Sequence, residues 1–284
     1  MFPASNMLTD PHKSMALRVC GLYKQYWRRA VIWRKRTKIF AVNGIDFEIA
    51  TGQTLALVGS SGSGKSTVAR CISRQERPSA GQIWLEDKEI SVLRGSALRC
   101  ERTSIQLIFQ DPATSMNPHF SAAEAIEEPL VVQKRGARKQ RRERSRELMN
   151  LVGLSPAWAD RNVMNFSGGQ RQRIAIARAL AIEPKVLILD EAFSGLDLST
   201  QAQIANLLLE LQATYSLAYL LISHDLGLVT RIADTIAVMS QGKIVEQGTA
   251  SAILGSPDHP ETRKLTASWT KSQSVFSAKA GTTT

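Results

Sequence analysis

The sequence predicts an α/β fold built on a parallel sheet. Three short apolar runs each end at a cluster of Gly, Ser, Asp or His, namely Thr54–Val58, 186–189 and Ala218–Ile222. Such runs are typical of strands that are buried on both faces of a parallel sheet. Helical patterns alternate with them, at 67–74, 171–180 and 201–212. Because parallel strands need crossover connections, this alternation favours a sheet with helices packed on its faces.

Two further strands are predicted ahead of this region, at 17–20 and 41–49. The second alternates apolar and polar residues, as a strand with one buried face does. The basic stretch 28–38 between them is interpreted as an exposed hairpin loop, with a binding surface as the alternative.

From 121 to 165 the pattern becomes wholly helical and highly charged. A helical sub-domain, inserted in the sheet domain at about 115–166, is therefore expected. Residues 1–15 form a polar lead-in, and 267–284 are dominated by small polar residues, Lys and Ala. Both ends are expected to be disordered, because such segments bury too little apolar surface to offset the entropy of ordering.

The composition argues against several classes of protein. No run approaches the roughly 20 apolar residues of a membrane-spanning helix, and no signal peptide is apparent, so a cytosolic chain is expected. Cys20, Cys71 and Cys100 form no C-x-x-C pair and are expected to be buried and unreactive. The net charge is +11, but the basic run 134–146 includes Glu143 and no aromatic residue, which favours a solvated helix face over a nucleic-acid surface.

The segment 59–66 matches the phosphate-loop pattern G-x-x-x-x-G-K-[ST] and lies between a predicted strand and a predicted helix. In such a loop the backbone N–H groups and the positive end of the helix face the phosphates of ATP. Lys65 is expected to reach the β- and γ-phosphates, and Ser66 to bind Mg²⁺. The predicted nucleotide-binding residues are Gly59, Ser60, Ser61, Gly62, Ser63, Gly64, Lys65, Ser66 and Thr67.

An apolar strand downstream of the phosphate loop ends in two carboxylates, Asp190 and Glu191. Acidic turns often follow strands, but together with a phosphate loop the pair predicts phosphoryl chemistry. Asp190 is expected to hold Mg²⁺, and Glu191 to polarise the attacking water.

A third motif opens a helix, since Ser167 is a good helix cap and an apolar helical register follows it. The sequence FSGGQRQRIAIARAL, lying between the phosphate loop and the Asp-Glu strand, resembles the signature motif of ABC ATPases. The resemblance implies that Ser167, Gly168, Gly169 and Gln170 contact the γ-phosphate of ATP bound to the opposite subunit. It also implies a P-loop NTPase, RecA-like core with an antiparallel β sub-domain, over about 16–266.

Further residues match the family's pattern. The resemblance gives Gln110 three roles: sensing the γ-phosphate, meeting the permease and binding Mg²⁺. It places His224 at the γ-phosphate, and Asp197 in the loop that crosses the dimer interface. Tyr26 lies at the position of the aromatic side chain that stacks on adenine, with the adjacent Trp27 as the alternative. The catalytic residues implied are Glu191, His224, Lys65 and Gln110.

Two segments, 109–118 and 256–260, resemble the ATPases of peptide and nickel importers. This branch implies a peripheral subunit on the cytoplasmic face of the inner membrane. Its expected partners are permease subunits, a second ATPase subunit that is identical or a paralogue, and, indirectly, an extracytoplasmic solute-binding protein. The alternative is a non-transport ABC ATPase that acts on nucleic acid or the ribosome; nucleic acid is not an expected partner of the importer.

Overall fold

The structure, a computed structural model, describes residues 14–29, 36–267 and 269. The strands are β1 (Met15–Arg29), β2 (Arg36–Ala50), β3 (Thr54–Val58), β4 (Ala80–Leu85), β5 (Lys88–Glu89), β6 (Ile105–Ile108), β7 (Val186–Asp190), β8 (Ala218–Ile222), β9 (Thr235–Ser240) and β10 (Lys243–Thr249). The helices are α1 (Lys65–Ile72), α2 (Gly95–Glu101), α3 (Pro112–Ser115), α4 (Ala122–Val132), α5 (Arg138–Leu151), α6 (Gly168–Leu180), α7 (Leu198–Tyr215), α8 (Leu226–Ile232) and α9 (Ala250–Gly255). Short 3-10 turns lie at Arg102–Ser104, Pro156–Trp158 and Val163–Asn165.

Six strands form the central sheet, in the order β10-β9-β3-β8-β7-β6. The strands from β9 to β6 pair in parallel, and β10 pairs antiparallel with β9 at the edge. Every residue of β3 and β8 is buried, as their continuous apolar runs predict. The predicted α/β fold with a parallel core is confirmed. The carboxyl ends of the parallel strands lie along one edge, where ligands bind in open α/β sheets.

Each face of the central sheet has its own apolar core, because successive residues of a strand point to opposite faces. Leu187 and Leu189 of β7 pack in the core that includes residues of α4 to α8. Val186 and Ile188 of the same strand pack in the core that includes β1, β2 and α1. The parallel sheet is therefore the middle layer of the domain.

A second sheet has four antiparallel strands in the order β2-β1-β4-β5. The strands predicted at 17–20 and 41–49 lie inside β1 and β2, but the observed strands are longer. They form one hairpin that is paired from Met15↔Ala50 to Arg29↔Arg36. The outer parts of β1 and β2 are held by backbone pairing, which needs no apolar side chains. The apolar pattern therefore predicted only the parts of the two strands that have a buried face. It also gave no signal for β4 and β5, in which only Ile83 and Leu85 are buried.

Helices α4 and α5 lie in the region predicted to be a helical sub-domain, whose bounds stay a prediction. A capping box starts α4, in which the Ser121 hydroxyl accepts from the Glu124 N–H at 3.3 Å and the Glu124 carboxylate accepts from the Ser121 N–H at 2.8 Å. On α5, Arg142 pairs with Glu127 at 3.1 Å and also with Asp160. Part of the charge of the basic run is thus neutralised within the helical region.

The cysteines differ in exposure from what the sequence predicts. Cys71 is buried, Cys20 is half-buried and Cys100 is exposed. The prediction of buried cysteines was wrong for Cys100, because α2 is a surface helix without a single buried residue.

The part of the chain that the structure describes contains no helix with the length and apolar character of a membrane-spanning segment. The expectation of disordered ends falls mainly on 1–13, 268 and 270–284, which lie outside the described residues. A helical segment occupies 260–267, and Trp269 packs against the core on the α6 side of the sheet.

Candidate nucleotide-binding site

The predicted phosphate loop connects β3 to α1 at the carboxyl edge of the central sheet. Glycine is required at Gly59 and Gly64, which have φ angles of 150° and 111°. A Cβ atom at either position would lie 2.1 Å from a backbone carbonyl oxygen, that of Met239 for Gly59 and that of Ala41 for Gly64. Gly64 also gives α1 no side-chain cap. The first N–H groups of α1 therefore stay available to an anion.

The Lys65 side chain folds back over this loop. Its ammonium donates to the carbonyl oxygens of Gly59 at 2.8 Å and Ser60 at 2.9 Å. Burial lowers the pKa of Lys65, and the carboxylates of Glu191 and Asp190 oppose that shift. The ammonium thus lies against the phosphate loop, where a phosphate oxygen can replace the two carbonyl oxygens as its hydrogen-bond acceptor.

Ser66 and Asp190 meet across the site, although 124 positions separate them in the sequence. The Ser66 hydroxyl donates to the Asp190 carboxylate at 3.1 Å. Burial raises the pKa of Asp190, the hydrogen bond from Ser66 lowers it, and the neighbouring Glu191 raises it further. A hydroxyl and a carboxylate are the hard oxygen donors that Mg²⁺ prefers, so this pair fits the predicted metal.

Glu191 and His224 follow the ends of β7 and β8, which are neighbouring strands. The imidazole Nδ1 of His224 lies 3.8 Å from a carboxylate oxygen of Glu191. The His224 side chain is 67% exposed, so a ligand at the sheet edge could reach it. Glu191 has a φ of 51°, and its N–H donates to the carbonyl of Ile222 at 2.9 Å. This turn carries the Glu191 side chain out of the strand direction.

Gln110 follows β6, the strand beside β7. Its amide donates to the Ser194 hydroxyl at 2.9 Å. The hydrogen bond joins the loop after β6 to the loop that follows Glu191. Gln110 is itself exposed, which leaves it accessible to a partner.

The third motif begins α6, as predicted, with Ser167 as its cap. The Ser167 hydroxyl accepts from the Gln170 N–H at 3.3 Å, and the Gln170 side chain accepts from the Ser167 N–H at 3.0 Å. A Cβ atom at Gly169 would lie 2.4 Å from the Thr200 methyl group, so α6 begins close against α7. Asp197 caps α7 by accepting from the Thr200 N–H at 2.9 Å. None of these hydrogen bonds joins the motif at 167–170 to the phosphate loop of the same chain.

Comparison with known proteins identifies the family. The profile of the ABC transporter family matches residues 42–194. The chain belongs to the ABC transporter family. It is 40% identical to the dipeptide transport ATP-binding protein DppF of Haemophilus influenzae, over 88% of this chain and 76% of that protein. It is 44% identical to the glutathione import ATP-binding protein GsiA of Pectobacterium atrosepticum, over 89% of this chain.

This ABC chain spans 41% of the length of that glutathione import protein. Among solved structures, it resembles a dimeric post-hydrolysis state of the ATP-binding cassette MJ0796 bound to ADP and Pi. The TM-score is 0.72 at 26% identity, with 82% of this chain and 98% of that chain covered. The predicted membership of the peptide importer branch agrees with these relatives.

The geometry adds one residue that the sequence did not single out, Glu76. Its carboxylate accepts from the Tyr26 hydroxyl and pairs with Lys24 and Arg70, both at 3.1 Å. The Lys24 ammonium also lies 5.0 Å from the centre of the Tyr26 ring. Burial and the hydrogen bond to Glu76 raise the pKa of Tyr26. No sequence motif identifies Glu76, because its contacts with Lys24 and Tyr26 of β1 form only in the folded chain.

If Tyr26 stacks on adenine, as the resemblance implies, Tyr26→Ala should raise the KM for ATP about tenfold. Trp27→Ala, the matched control, should leave the KM near the wild-type value. Phosphate release at a series of ATP concentrations measures both. If only Trp27→Ala raises the KM, the tryptophan is the stacking residue and the assignment of Tyr26 is wrong.

Proposed function

We propose that this chain is the ATP-hydrolysing, nucleotide-binding subunit of an ABC importer for peptides, nickel or a related small solute. One observation carries the proposal. The phosphate loop, Asp190, Glu191 and His224 follow three adjacent parallel strands and meet at one sheet edge. The names of the relatives, for dipeptide and glutathione transport, favour import of peptides.

In the proposed reaction, the phosphate loop and Lys65 hold the triphosphate of ATP in line with a water molecule. Glu191 orients this water and accepts its proton, while the water oxygen forms a bond to the γ-phosphorus. The bond between that phosphorus and the bridging oxygen of ADP breaks, and ADP leaves with the electron pair. His224 lies beside Glu191 and keeps the attacking geometry by donating to a γ-phosphate oxygen.

Ser66 and Asp190 would hold Mg²⁺, with Gln110 as a further oxygen donor. When bound, the ion neutralises charge on the β- and γ-phosphate oxygens. The raised pKa of Asp190 gives the metal site a pH dependence, because a protonated carboxyl binds Mg²⁺ poorly. Metal affinity should therefore fall as the pH drops towards the pKa of Asp190.

A second ATPase subunit would complete each site. The N-terminus of α6, with exposed Ser167 and Gly168, does not bond to its own phosphate loop. A helix N-terminus of this kind suits a γ-phosphate presented by another chain. The partner cassette is an identical copy or a paralogue, and closure of the pair on ATP would drive the permease.

The proposed site of action is the cytoplasmic face of the inner membrane, where permease subunits do the spanning. A solute-binding protein on the other side would deliver the solute to them. Co-purification with an integral membrane protein, together with solute uptake into vesicles that requires ATP, tests this function. ATPase activity that responds to nucleic acid or ribosomes, with no membrane partner recovered, would favour a non-transport ABC ATPase instead.

Gln110→Ala is expected to uncouple ATP hydrolysis from transport. Gln110 donates a hydrogen bond to Ser194, in the loop after Glu191, and is itself exposed to a partner subunit. Its loss therefore breaks a contact between the loop of Glu191 and the surface that would meet the permease. Basal phosphate release should fall much less than transport, because Ser66 and Asp190 would still hold Mg²⁺, while uptake into vesicles containing the permease falls several-fold. Gln203→Ala, on the surface of α7, is the matched control. Normal uptake by Gln110→Ala would contradict the coupling role.

A further inference from the structure

The hairpin of β1 and β2 extends beyond the sheet that supports its base. Pairing between β1 and β4 ends at Tyr23↔Ala80. Pairing between β1 and β2 continues through Gln25↔Phe40 and Trp27↔Lys38 to the end of the described strands. We call residues 24–29 and 36–40 the distal ribbon. Lys24 and Tyr26 are still held by Glu76, but beyond them the described ribbon is paired only within its two strands. A two-stranded ribbon is marginally stable in water, so the end of this one favours a supporting surface.

The distal ribbon exposes three large apolar side chains. Trp27 is 55% exposed, Phe40 is 49% exposed and Ile39 is 43% exposed. Trp27 and Phe40 lie on one face of the ribbon, because Trp27 is paired with Lys38 and Phe40 is two residues further along the same strand. Ile39 lies on the other face. Trp27 and Phe40 are diagonal neighbours on one face of a projecting element, and such a pair is typical of an interaction site rather than of scattered surface residues.

The same ribbon is strongly basic. It contains five Lys or Arg residues and no Asp or Glu. Lys24 forms an ion pair with Glu76, which follows α1 in the same chain. The Lys38 ammonium lies 5.1 Å from the centre of the Trp27 ring and has no acidic partner among the described residues. A complementary surface must therefore carry negative charge next to an apolar layer.

We propose that the distal ribbon binds the surface of an anionic lipid bilayer. Trp27 and Phe40, which share one face of the ribbon, would lie at the boundary between headgroups and acyl chains, and the Lys38 ammonium beside Trp27 would face the phosphates. Tryptophan with basic residues around an apolar centre is the composition of interfacial membrane anchors. A single-stranded nucleic acid fits less well, because the Lys38 ammonium already lies over the Trp27 ring, on which a base would have to stack. The contact goes beyond the proposed function, in which permease subunits alone hold the chain at the membrane.

Sedimentation of the purified full-length chain with lipid vesicles tests the proposal without ATP or permease. Vesicles of equal parts phosphatidylglycerol and phosphatidylcholine should bind the chain at least about 100-fold more tightly than phosphatidylcholine alone, since each basic residue near an anionic surface contributes a factor of about five. Lys38→Glu, which changes two units of charge, should weaken binding about 25-fold. Phe40→Ser should weaken it roughly tenfold, by removing apolar area from the interface, while Ile39→Ser on the opposite face should have little effect.

Two controls separate the ribbon from the rest of the basic surface. Arg138→Glu reverses an exposed charge at the start of α5, and Val92→Ser removes an exposed apolar side chain elsewhere. Both should bind vesicles as the wild type does, and thermal unfolding of every variant checks that it is folded. The proposal is overturned if anionic vesicles do not bind the chain, or if Arg138→Glu weakens binding as much as Lys38→Glu. Binding to a single-stranded oligonucleotide but not to vesicles would overturn it as well.

Discussion

Lys65→Ala is expected to abolish ATP hydrolysis. Lys65 is the only positive charge in the phosphate loop, and its ammonium is held at 2.8 Å from the Gly59 carbonyl, at the mouth of the loop. Losing one pre-placed donor to the transferred phosphoryl group costs on the order of 3 kcal/mol, which is about a hundredfold in rate. Nucleotide binding should weaken too, because no other side chain of the loop carries charge. Phosphate release by the chain, assembled with its partner, measures the effect.

The control for Lys65→Ala is Lys264→Ala, which removes an exposed lysine far along the chain from the loop. Its turnover should match the wild type, and thermal unfolding should show both variants folded. Wild-type turnover by folded Lys65→Ala would overturn the assignment of this loop as the phosphate site.

Glu191→Gln is expected to bind ATP and to keep it. The substitution preserves the size of the side chain and its capacity for hydrogen bonds, but it removes the carboxylate that accepts a proton from water. Loss of a general base lowers the rate roughly a hundredfold or more. Because hydrolysis would reopen the interface between two subunits, the variant should accumulate as a closed dimer with ATP and Mg²⁺. Gel filtration with light scattering measures the mass of the complex. If this chain alone stays monomeric, the measurement is made on the variant together with its partner ATPase subunit.

ADP supplies the control for this experiment, since it lacks the γ-phosphate that joins the two chains. The Glu191→Gln variant with ADP should run as a monomer, or as separated partners. A dimer that forms equally well with ADP or without nucleotide would mean that ATP does not lie between the subunits.

The parallel core of the fold could be predicted because its strands are buried on both faces. Such strands leave continuous apolar runs, and all five residues of β3 are buried. The length of the β1–β2 hairpin could not be predicted, since its distal pairs are held by backbone hydrogen bonds that need no particular side chain. The exposure of Cys100 was missed because a lone cysteine carries no information on which side of a short helix lies inward.

The candidate site could be predicted where the residues of a motif lie within a few positions of one another in the sequence. The phosphate loop is such a case, and so is Ser167 as the cap of α6. The closeness of Ser66 and Asp190 follows from the Mg²⁺ that both are expected to bind, but the direct hydrogen bonds between distant segments could not be predicted from the residues themselves. The bond between Ser66 and Asp190 arises because β3 and β7 flank β8, and the contact of Glu76 with Tyr26 arises from the packing of β1 near the end of α1.

The central claim is that one ATP is shared by two chains, and Ser167→Arg in the Glu191→Gln background tests it most directly. Ser167 is exposed in the single chain, so the larger side chain should be tolerated there. In the closed dimer it would fill the place of the γ-phosphate. Ser167→Gly is the control, because glycine keeps most of the capping preference and adds no bulk.

Light scattering with ATP and Mg²⁺ should show a dimer for Glu191→Gln and none after Ser167→Arg is added. The Ser167→Gly control in the same background should retain the dimer at least in part. An ATP-dependent dimer that persists unchanged with Ser167→Arg would contradict the shared site, even if the chain hydrolyses ATP.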